Sequence, residues 1–280
     1  MAKLKWAAFA PANKAFDYAG DKLEANWTKL HAGDQEPWPS DAHVAKLLKA
    51  NPKLGKDAAK IAGTLQDAWR AFHRGDFEQA DALGSGLGAI GAPVANKAMG
   101  IHAAYLVEGD KEKMKRFELV AQRADEARAA LPKVANSHYF RAFALGRYSQ
   151  LLSIAQALSQ GIAKKVKESL DETLALAPKH AEAHLAMALY HAEIVGKVGG
   201  MLASLTYGAK ASTAEEHLKT AIKLTPEAPI VHLEHGNALL LLYGDKREDD
   251  AAAAFAKAAK LKPRDAMEYL DAAAAKAQLE

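Results

Sequence analysis

The sequence predicts an all-α fold, a solenoid of about five stacked helix pairs over residues 61–263, with capping helices over 1–60 and 264–280. Three observations lead there. Similar phrases recur around a proline: LALAPKHAEAH at Pro178, IKLTPEAPIVH at Pro226 and AKLKPRDAMEY at Pro263. The residues before each proline repeat with helical rather than strand period. Half of the 280 residues are apolar, enough to bury a continuous core.

The elements follow in chain order. Residues 11–31 place Phe16, Ala19, Leu23, Trp27 and Leu30 on one side of an amphipathic helix. HAGDQEPWPS reads as a loop, after which Ser40 or Asp41 caps a short helix ending at Ala50. AWRAFHRGDFEQADAL, residues 68–83, is a first helix pair with its turn at Gly75-Asp76. A second pair lies between Pro93 and Pro132, with Gly100 at a close-packing position and a turn at Gly109-Asp110. First helices of the later pairs begin near Asn136, His180 and Ala228. In their second helices the aliphatics Leu176, Leu224 and Leu261 stand two residues before the proline. Leu170, Leu218 and Phe255 stand six residues further back, with Thr173, Ala221 and Ala258 between and Val166, Ala214 and Ala251 at the start. Small side chains let two helices approach, large ones fill the grooves beside them, and proline stops the second helix. Residues 265–278 form an alanine-rich terminal helix with Met267 and Leu270 on its apolar side.

Successive prolines from Pro93 to Pro263 are 39, 46, 48 and 37 residues apart. A plain helix pair of this kind takes about 34 residues. Pairs three and four therefore carry inserts between their helices, GRYSQLLSIAQALSQGIA over 146–163 and GKVGGMLASLTYGA over 196–209. Both are apolar, glycine- or serine-containing and nearly free of charge, and both are expected to be loops leaving a common edge, the place where solenoid insertions often bind.

This pattern resembles the tetratricopeptide repeat, strongly over 136–263 and moderately over 68–132. His138, His184 and His232 stand where that family's pattern begins with an aromatic residue. The chain resembles bacterial members of the family without an assigned role and, less closely, the repeat protein associated with TRAP transporters. The resemblance implies a right-handed α-α superhelix whose first helices line a concave groove. At the corresponding positions stand Trp69, Tyr139, Phe143 and Arg147, then Leu185, Leu189 and Glu193, then Leu233, Asn237 and Leu241. The lysines and asparagines with which the family clamps C-terminal carboxylates are replaced here by mainly apolar residues. The groove is either open to a ligand or filled by the chain's own inserts, with Met201, Leu202, Leu205 and Tyr207 folded inward.

Several chemistries find no support. A net charge of +3 with interspersed signs lacks the basic stripe that nucleic acid needs. No cysteine is present, which excludes disulfides and thiolate metal sites. In MAKLKWAAFAPANKAF the apolar patch ends at Pro11, too soon for a secretory signal, and no apolar run has membrane-span length. With no lipobox cysteine either, the expected compartment is the cytoplasm. Gly86-Leu87-Gly88-Ala89-Ile90-Gly91 fits G-x-G-x-x-G, yet helical periodicity precedes it, so it reads as an inter-helix turn and not a dinucleotide cradle. His180, His184 and His191 fall on one narrow helical stripe, which suits helix packing and, as an alternative, a metal or small-molecule site. No nucleophile, base or phosphate-loop spacing appears.

The expected function is thus a non-enzymatic interaction or scaffold module without a cofactor. It would bind a peptide segment, a partner protein or a small hydrophobic ligand through the groove and the inserts, with Tyr148, Leu151, Leu152, Met201, Leu205 and Tyr207 as insert contacts. A homo-oligomer that buries the inserts between copies is the other reading.

Overall fold

Proline and glycine punctuate helices throughout the computed structural model, which describes residues 4–10 and 16–280. The described residues are mostly helical and contain no strand, so the protein is all-α. It divides into two compact units. The first holds the described residues up to Lys29 together with Glu36–Gln160, the second Leu30–Gln35 together with Gly161–Glu280.

In the first unit the helices are α1 (Lys22–Leu30, whose last residue passes into the second unit), α2 (Asp41–Ala50), α3 (Ala58–Arg74), α4 (Phe77–Gly86), α5 (Ala92–Tyr105), α6 (Asp110–Ala130), α7 (Ala135–Gln150) and α8 (Ile154–Ser159). Ser40 caps α2 by accepting the His43 N–H at 3.1 Å, and Asp57 caps α3 by accepting the Lys60 N–H at 3.0 Å. Gly75 ends α3 at φ 91°, a left-handed conformation that glycine adopts without strain. Helix α3 packs on α4 and α5, α5 on α6 and α7, and α6 on α7. Helices α3 and α5 therefore each touch their own partner and the next first helix. Gly100 allows this closeness, since a Cβ there would lie 2.5 Å from Phe143 Cε1.

The second unit contains α9 (Ile162–Leu176), α10 (Ala181–Val198), α11 (Gly200–Tyr207), α12 (Ala211–Leu224), α13 (Pro229–Tyr243), α14 (Glu248–Lys260) and α15 (Ala266–Ala277). The same neighbour rule holds, with α10 on α12 and α13, and α13 on α14 and α15. Gly236 serves as Gly100 does, beneath the Phe255 ring, which a Cβ would meet at 2.4 Å. Leu170, Leu218, Phe255, Thr173, Ala221, Ala258, Val166, Ala214 and Ala251 are all buried, as the repeated stripe requires. Leu176 is exposed, and Leu224 and Leu261 are only half-buried, each at the C-terminal end of its helix or just past it.

Three expectations are corrected. The first amphipathic helix covers only Lys22–Leu30, because a turn through Gly20 (φ 58°) precedes it; residues 11–15 of the expected helix lie outside the described residues. Both inserts are helical rather than loops. Helix α7 runs on to Gln150 before the separate α8, and α10 runs on to Val198 before α11. Their Leu, Ala, Met and Gln content favours helix, and the breaks fall at Ser153, Gly161, Gly199 and Gly208. Finally, Pro93 stands at the start of α5, where a missing N–H costs nothing, instead of closing α4. No described helix is long and apolar enough to cross a membrane.

Candidate docking surface

Four of the positions expected to line a groove are core. Trp69, Tyr139, Leu185 and Leu233 are buried. A first helix flanked by its own partner and by neighbouring first helices has little free face left. Trp69 is covered by the segment that precedes the repeats: its ring meets Trp27 edge-on at 5.8 Å, and Trp27 in turn meets Trp38 at 5.0 Å. Arg70 holds the same segment by donating to the carbonyls of Tyr18 and Gly20. Around Trp69, then, the N-terminal residues fill the space assigned to a ligand.

Of the remaining groove positions all but Leu241 are half-buried, and most are engaged. Phe143 packs edge-on against Phe117 at 6.3 Å, with the Arg147 guanidinium 5.9 Å from its ring centre. Leu189 joins the core cluster of Leu185, Ala214 and Leu218. Glu193 pairs with Lys197 one turn on at 3.3 Å, and the Asn237 amide donates to Glu234 at 2.8 Å. Tyr148, Leu151 and Leu152 are half-buried at the C-terminal end of α7, and Leu241 is exposed on α13.

The histidine stripe separates into individual structural tasks. His180 is the N-cap of α10, its Nδ1 accepting the Ala183 N–H at 3.0 Å. His184 donates Nε2–H to the Pro178 carbonyl at 3.0 Å. Its Nδ1 is then the acceptor for His217 Nδ1–H at 2.8 Å. His191 accepts the Lys210 N–H at 3.2 Å and stacks on His217 at 6.4 Å. Burial, followed by the neighbouring His217 and Lys167, lowers His191 to about 4, so it is neutral at physiological pH. Among the described residues no three His, Asp or Glu side chains are placed to hold a metal ion.

Sequence reading missed His217, which lies on α12 and meets the stripe only in three dimensions. The helix-end carbonyl bond expected of structural histidines recurs at three of them. His138, His184 and His232 each bond the carbonyl of the proline six residues earlier, Pro132, Pro178 and Pro226, at 2.9, 3.0 and 2.8 Å. The imidazole thus satisfies a backbone group at the helix junction. Replacing His232 by Phe keeps a flat aromatic ring and orphans that carbonyl. The expected loss is about 1–2 kcal/mol, read from the urea midpoint.

Exposure picks out the inserts. Gly199 (φ 80°) breaks the chain after α10, and Gly208 (φ 64°) ends α11 by donating its N–H to the Ser204 carbonyl. Ala203 and Ala209 are fully buried and hold α11 against the unit. Leu202 is exposed, and Met201 and Leu205, one helical turn apart, are 82% and 80% exposed, so the insert does not fold inward to fill a groove. Tyr207 is half-buried. In the first unit α8 repeats the pattern, with Ile154 and Leu158 exposed one turn apart and Ser153 closing its N-terminus in a capping box with Gln156.

No protein-family model matches the chain, and no curated protein matches its sequence.

Proposed function

We propose that the chain is a tetratricopeptide-like superhelical scaffold that docks a partner protein or peptide through the apolar face of α11. One observation carries this reading: Met201 and Leu205 stand 82% and 80% exposed on a helix whose own alanine, Ala203, is fully buried. Large apolar side chains in register on a rigid element fit the helix-in-groove mode of recognition, in which residues one turn apart are the anchors. Support for the superhelix comes from the neighbour rule within each unit, where first helices touch successive first helices. The buried groove positions move the weight of the proposal from the concave surface to the inserts.

The test is a double substitution, Met201→Ser with Leu205→Ser. Anchors of this kind contribute about 2 kcal/mol each to an interface. The affinity for partners captured from a lysate of the source cells is expected to fall about a thousandfold, while stability changes by no more than an exposed substitution causes, about 0.5 kcal/mol. A melt that collapses would place these side chains in the core. Undiminished capture would remove α11 as the docking element.

A further inference from the structure

Residues 4–10 carry no helix, yet they are seated on the first unit by interactions that read a peptide backbone. Arg116, buried on α6, donates through Nη2 to the Lys5 carbonyl. His102, buried on α5, accepts the Ala7 N–H on Nε2 at 2.9 Å. Between them lies the Trp6 ring, 4.5 Å from the His102 ring and 5.5 Å from the guanidinium. Three residues on, Phe9 rests on the bare backbone of Gly75, where a Cβ would lie 2.4 Å from its ring, and meets Phe77 edge-on at 6.4 Å.

A hydrophobic cap would need no arginine and histidine beneath it. A peptide receptor would, because extended chain must have its N–H and C=O groups satisfied. The fit is also incomplete. With Nε2 accepting, the proton of neutral His102 resides on Nδ1, and that atom and Arg116 Nε are buried without a hydrogen-bond partner. Two buried donors left unmet beside the seated segment mark it as a ligand that a better acceptor can outcompete.

We propose that this surface, built from His102, Arg116, Gly75 and Phe77, is a peptide-docking site held in cis by residues 4–10, and that its partner is an extended segment with Trp and Phe three residues apart and an acidic side chain that meets the spare donors. The site belongs to the first unit and is independent of α11, so either can fail alone.

The experiment uses the full chain carrying Trp6→Ala and Phe9→Ala, titrated with a labelled peptide of sequence LKWAAFA and with peptides in which Leu4, Lys5, Ala7 or Ala8 is replaced in turn by Glu. The variant is expected to bind LKWAAFA, and at least one glutamate peptide to bind it tenfold or more tightly than LKWAAFA does. The unsubstituted chain is expected to bind each peptide at least tenfold more weakly, since its own segment competes. Absence of binding to a variant that melts normally, equal binding by both chains, or no gain from any glutamate would overturn the proposal. Should the variant melt abnormally, amide exchange at Ala7 in the unsubstituted chain decides. Faster exchange on adding the tightest peptide shows displacement, and unchanged exchange refutes it.

Discussion

Replacing Gly91 by alanine is expected to cost the first unit about 3 kcal/mol or more, read as a lowered urea midpoint. A Cβ on Gly91 would lie 2.1 Å from the Gly84 carbonyl oxygen and 2.8 Å from its carbon. Those atoms are backbone at the end of α4 and cannot swing aside as a side chain would. Gly91 has φ −90°, an ordinary value, so the penalty is purely steric. Gly84 faces the same contact from the other side, 2.8 Å from the Gly91 carbonyl oxygen. Gly63 is the control. It lies inside α3, exposed, with nothing within 4 Å of a new Cβ, so alanine there is expected to stabilise by about 0.5–1 kcal/mol. Equal effects at both positions would contradict the close crossing. The same contact accounts for the G-x-G-x-x-G phrase. Gly86 ends α4, Gly88 opens a 3₁₀ turn at φ 56°, and Gly91 lets α5 begin against α4; the phrase joins two helices and follows no strand.

Acidification from pH 7 to 4 is expected to lower stability through His102 and His191. Burial first, then Arg116, holds His102 at about 4, and burial first, then His217, holds His191 at about 4. Both folded values lie below the ordinary 6.5 of an exposed imidazole. The unfolded chain therefore takes up these protons first as pH falls. Their stabilisation is complete above pH 6.5 and is lost between 6.5 and 4, each on the order of 2 kcal/mol with solvent screening allowed for. His191→Asn isolates one share, because Oδ1 can accept the Lys210 N–H and the amide does not titrate. Urea midpoints at pH 7, 5.5 and 4 should show a shallower slope in that variant than in the unsubstituted chain. An unchanged slope would mean that His191 is not a buried neutral acceptor.

Much of the helix order was legible from local chemistry. Proline and glycine act within a turn or two of their own position, and so Gly75-Asp76 and Gly109-Asp110 mark real helix junctions. The repeated stripe of Leu170, Leu218 and Phe255 with its small neighbours is buried because its period matches the helix. The helical state of the inserts was equally written in their residues, and was obscured by the glycines at their ends.

What remained hidden depends on contacts between residues far apart in the chain. Nothing near Trp69 announces that Trp27 covers it, and nothing near His102 or Arg116 announces Ala7 or Lys5. The sequence by itself determined the all-α class and most helix ends, since backbone preference and apolar period are local properties. Only the tertiary structure decided which apolar positions are core and which are surface, because exposure is set by whatever segment comes to lie on top. Leu185 and Leu205 are the same residue type, each on a helix of the second unit, yet one is 4% exposed and the other 80%. The neighbouring helices make that difference, and no local pattern encodes it.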